Sequence, residues 1–247
     1  TNVTQQVLLD NVTHRNLRLR RDFSPGQGYD VQLARIFPSE FVVLQNEYPL
    51  FFIKNSESGH FEPIALFGFS KDENLYLREG RWDADYLPLT IERQPLLIGF
   101  QEQTVDGAPA QVPVVHIDLD HPDVSESEGE PLFLPHGGDS ERLEKMTSVL
   151  MAIHEGHQAL EPLSQTLVGM ELLESVSLDM NFVDGSSQVL QGLHTLNEQR
   201  LAALGGSALE VLHKKGYLHC IYMMLASQPN IEKLINRKNR MLMPSSS

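Results

Sequence analysis

Two histidines and three aspartates fall within eight positions of the stretch VPVVHIDLDHPDV: His116, Asp118, Asp120, His121 and Asp123. Side chains two apart on a strand share a face, so His116 and Asp118 present an imidazole and a carboxylate together. That pair begins the 2-His-1-carboxylate set that holds Fe(II) in non-haem oxygenases. His194 is the remote histidine best placed to complete it, with Arg200, six residues on, as an anchor for a co-substrate carboxylate. The plainer expectation is a strand end whose polar groups are hydrogen-bonded within the fold. On that expectation no cofactor is bound and no reaction is catalysed; Fe(II) belongs to the oxygenase alternative alone.

Directly after it comes SESEGEPLF, with Glu126, Glu128, Glu130 and Phe133. Closely spaced carboxylates can collect a hard cation, but no glycine stands where a calcium loop needs its sharp turn. A solvated acidic loop, or a docking surface for a basic peptide, fits the pattern better, and Gly129 marks a constrained turn. Further along, MAIHEGHQAL sets His154 and His157 three apart. A helical zinc-protease motif needs four, so that chemistry is excluded, and His157 is expected on the apolar stripe of a helix. GRWDADYLPLTIERQPL holds Arg81, the single tryptophan Trp82, Tyr86 and Arg93. With Tyr48 they are the residue types that dominate binding hot spots, suited to an extended peptide or an aromatic side chain. No phosphate-binding loop, dinucleotide fingerprint or nucleophile elbow occurs.

The elements that must position these groups change character along the chain. Short apolar or alternating runs fill the first half: QVLLDNV, FVVLQ, YPLFFIK, EPIALFGF, NLYLREG, LPLTIE, QPLLIGF and VPVVHIDL. Turn formers such as NSESGH and VDGAP separate them, which predicts a β-rich part over residues 1–135, an antiparallel sheet or open barrel. From Leu143 the spacing becomes three and four, through Met146, Leu150, Ile153, His157 and Leu160, one face of a helix. Asp139 or Ser140 caps it, and Pro162 either kinks it or begins another. Residues 136–247 therefore read as mainly helical, with one hairpin over 176–193 turning at Asp184-Gly185. Asn197 is expected to cap one later helix and Ser207 with Glu210 to box another, ending at Gly216. The fold class is α+β, the two parts packed as one unit, with Ser245–Ser247 frayed.

Charge bounds the partners. The 247 residues carry a net charge of −14, yet Arg15, Arg18, Arg20 and Arg21 crowd one end and Lys233, Arg237, Lys238 and Arg240 the other. Between Arg93 and Arg142 there is no Lys or Arg and there are ten acids. Such a chain repels nucleic acid except at its two ends, which are expected to pack beside the acidic middle or simply to be solvated. No apolar run reaches the roughly 18–20 residues of a membrane span. A polar N-terminus without an apolar signal core and a lone cysteine, Cys220, expected to be buried and inert, make the cytoplasm the expected compartment. Oligomeric state is not set by any of this.

PSEFVVLQNEYPLFF, EPIALFGFSKDENLYL, GRWDADYLPLTIERQPLLIGF, SESEGEPLF and GYLHCIYMMLAS, in that order across residues 5–240, resemble the SapC family of bacterial proteins. The resemblance implies a locus shared with TonB-dependent receptors and peptide- or tryptophan-modifying enzymes, and an old link to surface layers. It carries no reaction and no catalytic residues. The reading that results is an accessory protein recognising a protein or peptide through Tyr48, Arg81, Trp82, Tyr86, Arg93 and the 126–133 loop. The oxygenase and a surface-layer component are its alternatives.

Overall fold

The alternation Leu17-Arg18-Leu19-Arg20 sends successive side chains to opposite sides of an extended chain. In the computed structural model, which describes residues 5–105 and 108–243, both leucines are buried and both arginines half-buried. The turn expected at Asp106-Gly107 and the end at Ser245–Ser247 lie outside the described residues. Strands in chain order are β1 (Gln6–Leu8), β2 (Arg18–Leu19), β3 (Leu33–Arg35), β4 (Leu50–Lys54), β5 (Phe61–Leu66), β6 (Leu77–Arg78) and β7 (Arg81–Trp82). Then come β8 (Leu96–Val105), β9 (Ala108–Asp118), β10 (Val124–Ser125), β11 (Glu130–Pro131), β12 (Leu173–Asn181) and β13 (Ser187–Leu196). Helices are α1 (Phe41–Leu44), α2 (Leu89–Glu92), α3 (Glu141–Gly169), α4 (Glu198–Ala202), α5 (Gly206–Lys214), α6 (Tyr217–Ser227) and α7 (Asn230–Leu242). The fold is thus α+β, with antiparallel sheets in the first half and a mainly helical second half carrying one hairpin.

Two compact units divide the chain. The first comprises Thr1–Tyr29, Leu77–Trp82 and Leu89–Glu155. It holds a sheet of order β1-β9-β8, a second of order β10-β2-β11 and the β6–β7 pair. Leu17 and Leu19 join Leu96, Ile117, Leu132, Phe133 and the Leu143, Met146 and Leu150 stripe of α3 in one buried cluster. Ser140 begins that helix by accepting the Leu143 N–H at 3.2 Å, as expected of a capping serine.

The second unit comprises Asp30–Tyr76, Asp83–Pro88 and Gly156–Ser247. Its five-stranded sheet runs β12-β13-β4-β5-β3, so the late hairpin extends a sheet of early strands through the pairing of His194 with Phe52. Tyr48, Phe67 and Tyr76 pack ring to ring, at 5.6, 4.6 and 5.9 Å for the three pairs. The basic C-terminal helix packs here too. Arg237 stands 4.4 Å from the centre of the Tyr76 ring and donates to Asp83 at 2.5 Å, while Lys238 pairs with Glu73.

Several expectations change. FVVLQ and LPLTIE are not strands but the short helices α1 and α2. Pro38 opens a helical turn, and the Glu40 carboxylate reaches back to accept the Phe37 N–H at 2.9 Å. That local capping outweighs the strand propensity of two valines. α3 runs unbroken through Pro162, forgoing one backbone hydrogen bond. Ser207 is not a cap: α5 starts after Gly205 with no side-chain cap, whereas Asn197 does accept the Arg200 N–H before α4. His157 is exposed and meets Phe37 only edge-on at 5.1 Å. Its inward place is taken by Gly156, where a Cβ would come within 2.6 Å of the Phe37 ring.

Gly129 carries a sharper constraint. Its φ is +96°, and a Cβ there would lie 2.3 Å from the Leu19 carbonyl oxygen. Gly129→Ala must therefore both strain the turn and push β2 away. We expect it to lower stability by about 3 kcal/mol, read as a shifted urea midpoint, whereas the exposed Ser127→Ala, whose hydroxyl makes no hydrogen bond among the described residues, leaves the midpoint in place.

Candidate functional site

The acidic loop folds around the chain's own basic arm. β2 is hydrogen-bonded to β10 on one side, with Val124 opposite Leu19, and to β11 on the other, with Pro131 opposite Arg18. Arg18 donates to the Gly129 carbonyl at 2.9 Å. Arg20 meets Glu128 at 3.4 Å and also donates to the Pro122 carbonyl. Next to it Arg21 reaches Glu92 at 3.5 Å, and Lys145 reaches the same carboxylate at 3.0 Å. Arg18 and Arg20 thus pack against the basic-free interval, Arg21 pairs just outside it, and Arg15 stays exposed.

Between the arm and the loop lies a surface pocket of about 580 Å³. The arm contributes Asn11, Arg15, Asn16 and Arg18 to its lining. From the loop come Glu126 and an apolar run of Pro131, Phe133, Leu134 and Pro135. Phe133 is buried and shared with the core cluster, while Leu134 is 51% exposed. Among the described residues neither Arg15 nor Glu126 has an ion-pair or hydrogen-bond partner. Opposite charges thus line one pocket without neutralising each other.

The remaining candidate residues are placed as follows. His116 pairs with Leu97 across β8, and its ring lies where a Cβ on Gly99 would be, within 2.6 Å. Asp118 accepts the Asp120 N–H at 3.1 Å, and Asp120 accepts the Gln5 N–H at 2.9 Å. His194 belongs to the second unit, edge-on to Phe61 at 4.7 Å, with a buried Nδ1 that has no hydrogen-bond partner among the described residues; burial holds its pKa below the ordinary value. Arg200 is occupied with the end of α3, donating to the Met170 carbonyl at 3.2 Å and pairing with Glu171 at 3.2 Å. Among the described residues no group of three or more His, Cys, Asp or Glu side chains is placed to hold a metal ion. Cys220 is buried, and burial pushes its thiol pKa up.

Of the hot-spot types, Arg81, Trp82 and Arg93 belong to the first unit, Tyr48 and Tyr86 to the second. Trp82 meets Phe23 edge-on at 5.8 Å, and the Arg93 guanidinium is desolvated against the Leu96 carbonyl at 2.8 Å. Arg81 is exposed at the β6–β7 hairpin. Tyr48 is fully buried and donates to the Tyr86 carbonyl at 2.6 Å, while the Tyr86 hydroxyl donates to Glu40 at 3.3 Å. Glu130 lies exposed in β11.

One polar network has no signature in the sequence. Tyr29, 94 residues from Asp123, donates to its carboxylate at 2.5 Å with both residues about 1% exposed. The Asp123 N–H donates to His121 Nδ1 at 3.1 Å, which leaves Nε2–H to donate to Gln94 Oε1, also at 3.1 Å. Burial first, then the hydrogen bond to Asp123, hold the Tyr29 phenol well above its usual pKa. His121 and Asp123 attract notice in the sequence as metal ligands, yet here they tie a turn to the arm.

The SapC family model matches residues 9–234 of the 247, and the chain belongs to the SapC family. No curated protein and no solved structure matches it. No helix among the described residues is long and apolar enough to cross a membrane.

Two outcomes follow from the buried network. Tyr29→Phe leaves an Asp123 oxygen buried without its donor and should cost about 1–3 kcal/mol in unfolding experiments. His121 is held neutral, its pKa lowered from 6.5 chiefly by burial. The unfolded chain then takes up a proton that the folded chain refuses, so this stability is complete above pH 6.5 and is lost as pH falls below it. His121→Gln should flatten the dependence of the urea midpoint on pH in that range.

Proposed function

We propose that this SapC-family protein is a cytoplasmic accessory protein that recognises a protein or peptide partner through the pocket between its basic arm and the 126–137 loop. The observation that carries the reading is the pairing, in one open pocket, of an exposed leucine with two charges that the fold itself does not neutralise. Its volume of about 580 Å³ falls in the range of sites that take small ligands or a few side chains. Glu126 and Phe133, singled out by residue type, both line it. The family resemblance suggests a partner encoded with peptide- or tryptophan-modifying enzymes, and the single cysteine suits a reducing compartment.

A photoreactive amino acid placed at Leu134 in bacterial cells tests the reading. It should give a discrete higher-mass adduct containing one other protein, whereas the same group at Val183, also exposed and in the second unit, should not. An absent adduct, or the same ladder from both positions, would remove the pocket from consideration as a recognition site.

A further inference from the structure

The composition argues that an acidic chain with an acidic loop recognises something basic. Local charge in the pocket argues the reverse. Glu128 is engaged by Arg20, and Arg18 lies across the loop at the Gly129 carbonyl. What faces the pocket is Arg15 and Arg18 against the single carboxylate of Glu126, a net charge of one positive on a chain of −14. Arg15 is exposed and has no partner among the described residues. Its planar fork suits a carboxylate, which it can meet with two parallel hydrogen bonds.

Three further features narrow the ligand. The Asn16 side chain has no hydrogen-bond partner among the described residues, and Asn11 donates only its amide N–H, to the Gly137 carbonyl at 2.6 Å. Free side-chain amide groups match the donors and acceptors of a peptide backbone. Pro131, Leu134 and Pro135 add an exposed apolar surface that would gain from covering a large side chain. Finally, Glu126 repels a second negative charge. One net positive charge suits a single carboxylate better than a doubly charged phosphate.

Resting on the recognition reading above, we infer that the partner segment is an acidic–apolar peptide: an Asp or Glu seated on Arg15, within two residues of a large apolar side chain seated on Leu134 and the flanking prolines. In an extended segment such residues lie roughly 3–7 Å apart along the chain, and Arg15 and Leu134 line the same pocket. A basic peptide would meet Arg15 and Arg18 and be turned away, despite the glutamates nearby.

Panning a phage-displayed random dodecapeptide library on the full chain tests this, with selected peptides then labelled and measured by fluorescence anisotropy. The selected sequences should carry an acidic residue within two positions of Phe, Leu, Met or Trp. Their affinity should fall about ten-fold or more with Arg15→Glu, the loss of one charge-assisted contact, and should hold or rise with Glu126→Gln. Both positions are exposed and unpaired among the described residues, so unchanged thermal melting of the two variants is expected. Selection of basic sequences, no selection at all, or indifference to Arg15→Glu would overturn the assignment. If the Leu134 adduct still forms in any of those cases, recognition at the pocket stands and only the ligand chemistry falls; if the adduct is also missing, both fall.

Discussion

The closure of residues 124–131 around Arg18 and Leu19 is the constraint on which the first unit turns. Two leucines alone would bury little apolar surface. Hydrogen-bonded on both edges, β2 instead becomes the middle strand of a sheet, and Leu19, with Leu17 just before the strand, enters the cluster built on Leu96, Ile117 and α3. The closure needs a residue without a Cβ at 129, since the loop crosses directly over the Leu19 carbonyl. Asp123 is fixed by Tyr29 and by the Asp22 N–H at 3.3 Å, His121 by Gln94, and the pocket is the space left where arm and loop diverge.

Charge segregation was the most legible feature of the sequence and also the most misleading one. It led Arg18 and Arg20 to the acidic interval, because unlike charges kept apart in sequence lower their energy by meeting in space, but Arg21 pairs with Glu92 and the C-terminal Arg237 and Lys238 with Asp83 and Glu73, all outside that interval. It also led the glutamates to be read as bait for a basic ligand, which overlooks how far the arm has already answered them. The carboxylate that counts is the one that lines the pocket, Glu126, and the cation that counts is Arg15. Neither is distinguishable from its neighbours by type or spacing.

The fold class was readable because periods of two and of three-to-four are set by backbone geometry. Short elements were not. FVVLQ has the composition of a strand, and only the carboxylate of Glu40 bonding to the Phe37 amide makes it a turn of helix. Likewise the eye goes to His157 for the helix stripe, while Gly156 is what lets α3 approach Phe37. The Tyr29–Asp123 bond had no local signal at all. Its partners are joined only once the arm is in place, and a tyrosine in SPGQGYD looks like any other residue of a polar turn.

A timing consequence follows from the middle position of β2. Arg18 precedes its acceptor Gly129 by 111 residues, so during synthesis the arm emerges well before either strand that flanks it. At about 5–20 residues per second the wait is roughly 6–22 s. For that interval Leu17 and Leu19 have no core to enter, and the leucines and arginines of the arm are presented together as an extended amphipathic segment. Chaperones that bind apolar segments flanked by basic residues meet such a segment before the fold does. The clamp that stabilises the finished unit therefore secures one of its early segments only late in synthesis.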